Sequence, residues 1–155
     1  MSQPVFYQRW DIVKLAEAMI MTPAEAQAFF IDGRIGGRLF ERAVCDKIGG
    51  QMASSQAAPY DVIDQAGDLW EVRALTRHGV RFNPSNQHGS KRAYEQGAFL
   101  SKLDGIRGFY IADLSRFPEV PFYQVFSQTV RDWHQAGRLS DGHLTYPQAR
   151  SLFAG

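Results

Sequence analysis

The chain reads as an α/β domain, a mixed central β-sheet flanked by helices, and three observations predict this. Helical and strand-like segments alternate along it, residues 60–75 have the form of a β-hairpin, and Gly108-Phe109-Tyr110-Ile111-Ala112-Asp113-Leu114 is a nearly continuous run of apolar β-formers. Such a run marks a strand covered on both faces, the situation of a central strand between helical layers.

The elements follow in order. Asp11 to Ile20 places Ile12, Leu15, Ala16 and Met19 at helical spacing. Thr22-Pro23-Ala24-Glu25 is a helix start, with a hydroxyl N-cap, proline in the first turn and glutamate at the capping-box position; that helix is expected to reach about Ile31 and stop at Asp32-Gly33. Gly36 to Lys47 has apolar residues at 40, 44 and 48 and a Gly49-Gly50 stop, so it predicts a helix carrying Glu41 near its start. Gln51 to Ser54 predicts a short first strand, and Val80-Arg81-Phe82 an extension of the same sheet beyond the hairpin. A helix is expected over Ser90–Leu103, strands over 108–114 and Pro121–Phe126, and a short helix over Gln128–Gln135. Trp10, Trp70 and Trp133, together with Tyr7, Phe29, Phe30 and Phe40, are assigned to packing, the usual role of large aromatics.

A length of 155 residues suits one domain with a real core. The expected organisation is a helical extension over 1–33, a core over 36–126, and a C-terminal helix and tail over 127–155. Hydrophobic content of 45% with 21% charged residues excludes a disordered or strongly basic tail protein. Cys45 is the sole cysteine, so an intramolecular disulfide and a cysteine zinc cage are excluded; its helical position next to Val44 reads as a buried inert thiol. The four histidines, at 78, 88, 134 and 143, lack the i, i+4 spacing of a helical metal pair. No apolar stretch approaches membrane-spanning length, and charged residues interrupt the N-terminus. A cytoplasmic protein with no membrane partner is the expectation.

The hairpin carries the chemistry. Tyr60–Asp64 and Leu69–Leu75 are strand material around the turn residues Gln65-Ala66-Gly67-Asp68. With a three-residue loop and Gly67 in the left-handed position, Ile63 lies opposite Leu69 and Asp61 opposite Glu71. Alternation then puts Asp61, Glu71 and Arg73 on one face. Facing carboxylates repel, so something must compensate. A divalent cation completed by water and phosphate oxygens is one answer, and Arg73 alone is another, which would leave a plain hairpin with a screened ion cluster. Downstream, no acid occurs from Val72 to Tyr94, while Arg77, His78, Arg81, Asn83, Asn86, Gln87, His88, Lys91 and Arg92 crowd the same window. Arginine and lysine suit phosphate contact, and the amides suit base or sugar contact.

Here the chain resembles the restriction-endonuclease-like superfamily of PD-(D/E)xK nucleases. The resemblance is carried by Glu41 in Gly37-x-x-x-Glu41, by Asp61 in Pro59-Tyr60-Asp61, and by Glu71-Val72-Arg73 with Asp-x9-Glu spacing. It covers about residues 36–126 and is most similar to small type II restriction enzymes of the PvuII kind. The resemblance implies an α-β-β-β-α-β core, a Mg²⁺ ion (or Mn²⁺ in its place) held by Asp61 and Glu71 with Glu41 as an outer ligand, and double-stranded DNA as substrate. It also implies catalytic roles for Asp61, Glu71, Arg73, Glu41 and Lys91. A homodimer is expected because closed two-fold dimers are the commonest oligomers and would let one small domain address both strands. The family has lysine where this chain has Arg73. Arginine clamps a phosphate oxygen but accepts no proton, so the implied options are an electrostatic role for Arg73, an ammonium displaced to Lys91, or a scaffold that has lost the chemistry. A catalytically inactive DNA-binding or complex-assembly protein is therefore the alternative expectation, and a structural protein whose basic loop meets an acidic partner is a third.

Overall fold

The computed structural model describes residues 3–55, 57–84 and 93–154. Among them, six strands form one mixed sheet in the order β1-β7-β6-β4-β3-β2. The strands are β1 (Phe6–Arg9), β2 (Gln51–Met52), β3 (Val62–Ile63), β4 (Leu69–Leu75), β6 (Gly108–Asp113) and β7 (Glu119–Phe126). β5 (Val80–Arg81) and β8 (His143–Leu144) make a separate two-stranded sheet. The helices are α1 (Ile12–Ala18), α2 (Pro23–Ile31), α3 (Gly37–Ile48), α4 (Gln96–Gly105), α5 (Ser127–Gln135) and α6 (Tyr146–Ala154).

Local chemistry explains the helix starts. Asp11 accepts hydrogen bonds from Val13 and Lys14 N–H and caps α1. Thr22 and Glu25 form both halves of the expected capping box on α2, with Pro23 at its first position. α3 begins after Gly36 and ends on the left-handed Gly49. α4 starts later than the sequence suggests, at Gln96, because Glu95 caps it through the N–H groups of Gly97 and Ala98.

The sheet divides the core in two. Phe109 and Ile111 of β6 face Phe99 and Leu103 of α4, Val130 and Trp133 of α5, and Ala149 and Phe153 of α6. Tyr110 and Ala112 face the other way, toward Phe30 of α2 and Phe40, Ala43 and Val44 of α3. Every residue of β6 is buried, as its composition requires of a strand with helices on both sides.

The hairpin has the expected register. Ile63 pairs with Leu69 and Val62 with Trp70, and the Asp61 N–H donates to the Trp70 carbonyl. Gly67 has φ +87°, the left-handed backbone that the three-residue loop demands. Asp64 fixes the turn. Its Oδ1 accepts from the Ala66 and Asp68 N–H groups, both at 2.9 Å, and its Oδ2 from Trp70 Nε1 at 2.9 Å. Desolvation pushes the Asp64 carboxyl up, but these hydrogen bonds with those of Trp70 foremost hold it below the ordinary aspartate range.

Four expectations are corrected. The segment before Gly33 is not wholly helical: β1 pairs antiparallel with β7 and forms a sheet edge. Val80 and Arg81 do not extend the main sheet but pair with Leu144 and His143. The chain reverses over Thr76–Gly79, where Gly79 has φ +89° and approaches the Leu144 carbonyl so closely that no side chain fits. The C-terminal tail contains α6, which closes one face of the core through Ala149 and Phe153. Tyr7 and Phe29 are exposed at 59% and 46%, so they are not core residues, whereas Phe30, Phe40, Trp70 and Trp133 are buried. Cys45 is buried on α3, and that burial raises its thiol pKa. Among the described residues no helix is long and apolar enough to cross a membrane.

Because Asp64 ties the turn to Trp70, Asp64→Ala is expected to cost about 1–2 kcal/mol through three lost hydrogen bonds. Urea unfolding checks it. The stability that Asp64 contributes is present above the ordinary aspartate range and fades as pH falls through the depressed folded value, so the wild-type advantage over Asp64→Ala shrinks in acid.

Candidate functional site

The hairpin register sets Asp61 against Glu71, and the parallel pairing of β4 with β6 buries the middle of β4. Glu71, Arg73 and Leu75 alternate onto the face covered by α4. A carboxylate buried there needs cations. Glu71, with a side chain 8% exposed, has two: Arg73 Nη2 lies 2.7 Å from Oε2, and Lys102 Nζ of α4 contacts Oε1. Lys102 also donates to the Pro59 carbonyl at 2.7 Å, which ties α4 to the segment leading into Asp61. Arg73 Nη2 donates to the Asn83 carbonyl at 3.2 Å, and its Nε is buried without a hydrogen-bond partner among the described residues.

Asp61 is held differently. Its Oδ2 accepts the Val72 N–H at 2.8 Å, which fixes the carboxylate across the strand pair. Burial, and next the facing Glu71 carboxylate, push the Asp61 carboxyl above the ordinary range, with the Val72 hydrogen bond, Arg73 and Lys102 opposing. Glu41 on α3 joins this electrostatic group. Burial raises its carboxyl, as do Asp61 and, more weakly, Glu71, while Arg38 at 3.1 Å pulls it down. Burial first, and neighbouring carboxylates next, thus make the Asp61 and Glu41 carboxyls hold their protons more tightly than usual.

The structure therefore brings together Asp61, Glu71 and Arg73, places Glu41 within their field, and adds Lys102, which the sequence reading passed over. Lys102 stands alone near the end of a helix whose apolar pattern draws attention to Phe99 and Leu103, so local sequence carried no sign of it. Lys91, Asn86, Gln87, His88 and Arg92 lie outside the described residues. Arg77, His78 and Arg81 are exposed. Asn83 corrects the expectation of an amide facing nucleic acid: it is 1% exposed, packs against Gly142, and offers its backbone carbonyl to Arg73. It positions the guanidinium.

Among the described residues no three His, Cys, Asp or Glu side chains converge as a ready-made metal cage. The donor set suits a cation that needs few protein ligands. Asp61 and Glu71 are two facing carboxylates, and Mg²⁺ is commonly held by one or two carboxylates with water and substrate oxygens completing the shell. No protein-family model and no curated protein matches this chain.

The raised Asp61 carboxyl gives a signed prediction. A group that binds its proton more tightly in the folded state contributes stability below its ordinary value and loses it as pH rises through the elevated one. Asp61→Asn keeps an acceptor for the Val72 N–H and removes the penalised charge. Its melting temperature is expected to exceed that of wild type by roughly 2–4 °C at pH 7.5, the shift that about 1 kcal/mol produces in a domain of this size, and to match wild type near pH 3. Thermal melts at both pH values check this, and an equal shift at both would show that charge is not the cause.

Proposed function

We propose that this chain is a Mg²⁺-dependent DNA endonuclease with a restriction-endonuclease-like core. The observation that carries the reading is the Asp61–Glu71 pair across a hairpin, with two cationic side chains, Arg73 and Lys102, beside it. The order of elements supports it. α3 precedes the antiparallel strands β2, β3 and β4; after β5, which pairs in the separate two-stranded sheet, α4 leads to β6, which lies parallel to β4. With β5 set aside as an insertion, this order is compatible with the α-β-β-β-α-β core that the superfamily resemblance implies. Double-stranded DNA is the proposed substrate, and a homodimer the proposed form in which one small domain addresses both strands.

In this reading Asp61 and Glu71 hold the ion, with Glu41 behind them. When bound, the ion supplies charge neutralisation and Lewis acidity for attack by water on a phosphodiester. Arg73 stabilises the added negative charge on the phosphoryl oxygens, as a permanent cation can. Lys102 supplies the ammonium that the motif lacks at position 73, reaching the same carboxylate from α4. The Val72 N–H holds Asp61 in place, and the Asn83 carbonyl orients Arg73.

A second reading, a catalytically silent DNA-binding or complex-assembly protein, is favoured by one observation: both Glu71 oxygens already meet a cation, which is also what a purely structural buried ion cluster looks like. Nicking of supercoiled plasmid separates the two. Wild type is expected to nick with Mg²⁺ or Mn²⁺ and not with EDTA, Asp61→Ala and Glu71→Ala to lose activity, Lys102→Met to fall by on the order of a hundredfold, and Arg73→Lys to stay active. Circular dichroism verifies folding of each variant. Salt-sensitive DNA binding with no divalent requirement and no cleavage would establish the second reading instead.

A further inference from the structure

We propose that the turn between β4 and β5, together with the β5–β8 pair, forms a pocket for one phosphate group beside the carboxylate pair, with Arg73 common to both. A cavity of about 300 Å³ opens there, lined by Arg73, Thr76, His78, Arg81 and His143, with Asp32 as the only acid lining it among the described residues. Arg81 and His143 are directly opposed across the β5–β8 ladder. An arginine set opposite a histidine lacks the acidic cross-strand partner that charge pairing favours, and an anion would supply it.

The hydrogen-bonding state of the lining favours an acceptor-rich ligand. Arg77 Nε donates to His78 Nε2 at 3.2 Å, so that nitrogen is the lone-pair end of the ring and Nδ1 carries a proton to give. His143 Nε2 donates to the His78 carbonyl at 2.6 Å, which ties the two histidines together and fixes the second ring. Thr76 Oγ1 accepts the His78 N–H at 3.1 Å, leaving its own hydroxyl hydrogen to donate. Arg73, whose Nη2 is held by Glu71 and the Asn83 carbonyl, adds a fixed positive charge to the lining. Asp32 is partly matched by Arg34, whose N–H donates to it at 2.9 Å and whose Nε lies 3.8 Å away. Cations and donors thus come from β4, the 76–79 turn and β5, three directions that suit a tetrahedral oxyanion better than a planar carboxylate gripped by one fork. The phosphate could belong to a nucleic-acid strand interior or to a strand terminus, and the chemistry of the pocket is the same for both.

The test uses the full chain without divalent ions, so it is independent of cleavage and of the metal reading. Inorganic phosphate is titrated while the ring protons of His78 and His143 are followed by NMR. A saturable shift of both rings is expected, weakened on the order of tenfold in Arg81→Gln and unchanged in Arg138→Gln. Absence of a saturable shift, or an equal affinity in Arg81→Gln, would overturn the pocket. A second arm compares 5′-phosphorylated and 5′-hydroxyl oligonucleotides of one sequence. Tighter binding of the phosphorylated strand, lost in Arg81→Gln, assigns a terminus. Equal binding of both, weakened alike in that variant, assigns an interior phosphodiester, and oligonucleotide binding indifferent to Arg81→Gln counts against the proposal.

Discussion

A buried carboxylate on the central sheet is the constraint around which the rest of this molecule is arranged. Glu71 sits in the middle of β4 with a side chain 8% exposed, and an ionised carboxylate in that position is tolerable only with cations in direct contact. Arg73 comes from two residues along the same strand. Lys102 comes from α4, so the packing of that helix and the charge balance of the strand are one requirement. Lys102 is also bonded to the Pro59 carbonyl, so the same contact holds the approach to Asp61.

The hairpin divides its acids into two kinds. Asp64, at the turn, is surrounded by N–H donors and holds its charge easily. Asp61, three residues earlier, accepts one backbone N–H and faces another carboxylate, and its proton is held more tightly than usual. One side of a single hairpin is thus spent on fixing register and the other on concentrating negative charge. Stability given up at a local site for a chemical capacity is a common arrangement at functional centres. It is the physical content of the nuclease reading, which rests on that contrast and on the order of strands and helices.

Much of the fold was legible because its signals are local. The capping box at Thr22–Glu25, the helix ending at Gly49, the Asp64–Gly67 turn and the unbroken apolar run of β6 each depend on neighbours a few residues apart, and each has the form that those neighbours dictate. The pairing of Asp61 with Glu71 followed from loop length alone. What escaped was long-range. β1 is a strand because β7 offers it an edge over a hundred residues later, and β5 leaves the main sheet because β8 pairs with it from far down the chain. Asn83 belongs by composition to an exposed polar loop, yet Gly142 packs over it and Arg73 takes its carbonyl.

The amino-acid sequence by itself determined an α/β chain with its central strands and most of its helices, and a hairpin that sets two acids face to face beside an arginine. Periodicity, caps and turn chemistry are written in adjacent residues, and a three-residue loop leaves one register open to the strands. Tertiary structure alone decided that Lys102 is the second cation on Glu71, that Asn83 is buried, and that His143 stands opposite Arg81. Each of those depends on which distant segments pack together, and burial and charge pairing between distant segments leave no periodic trace along the chain.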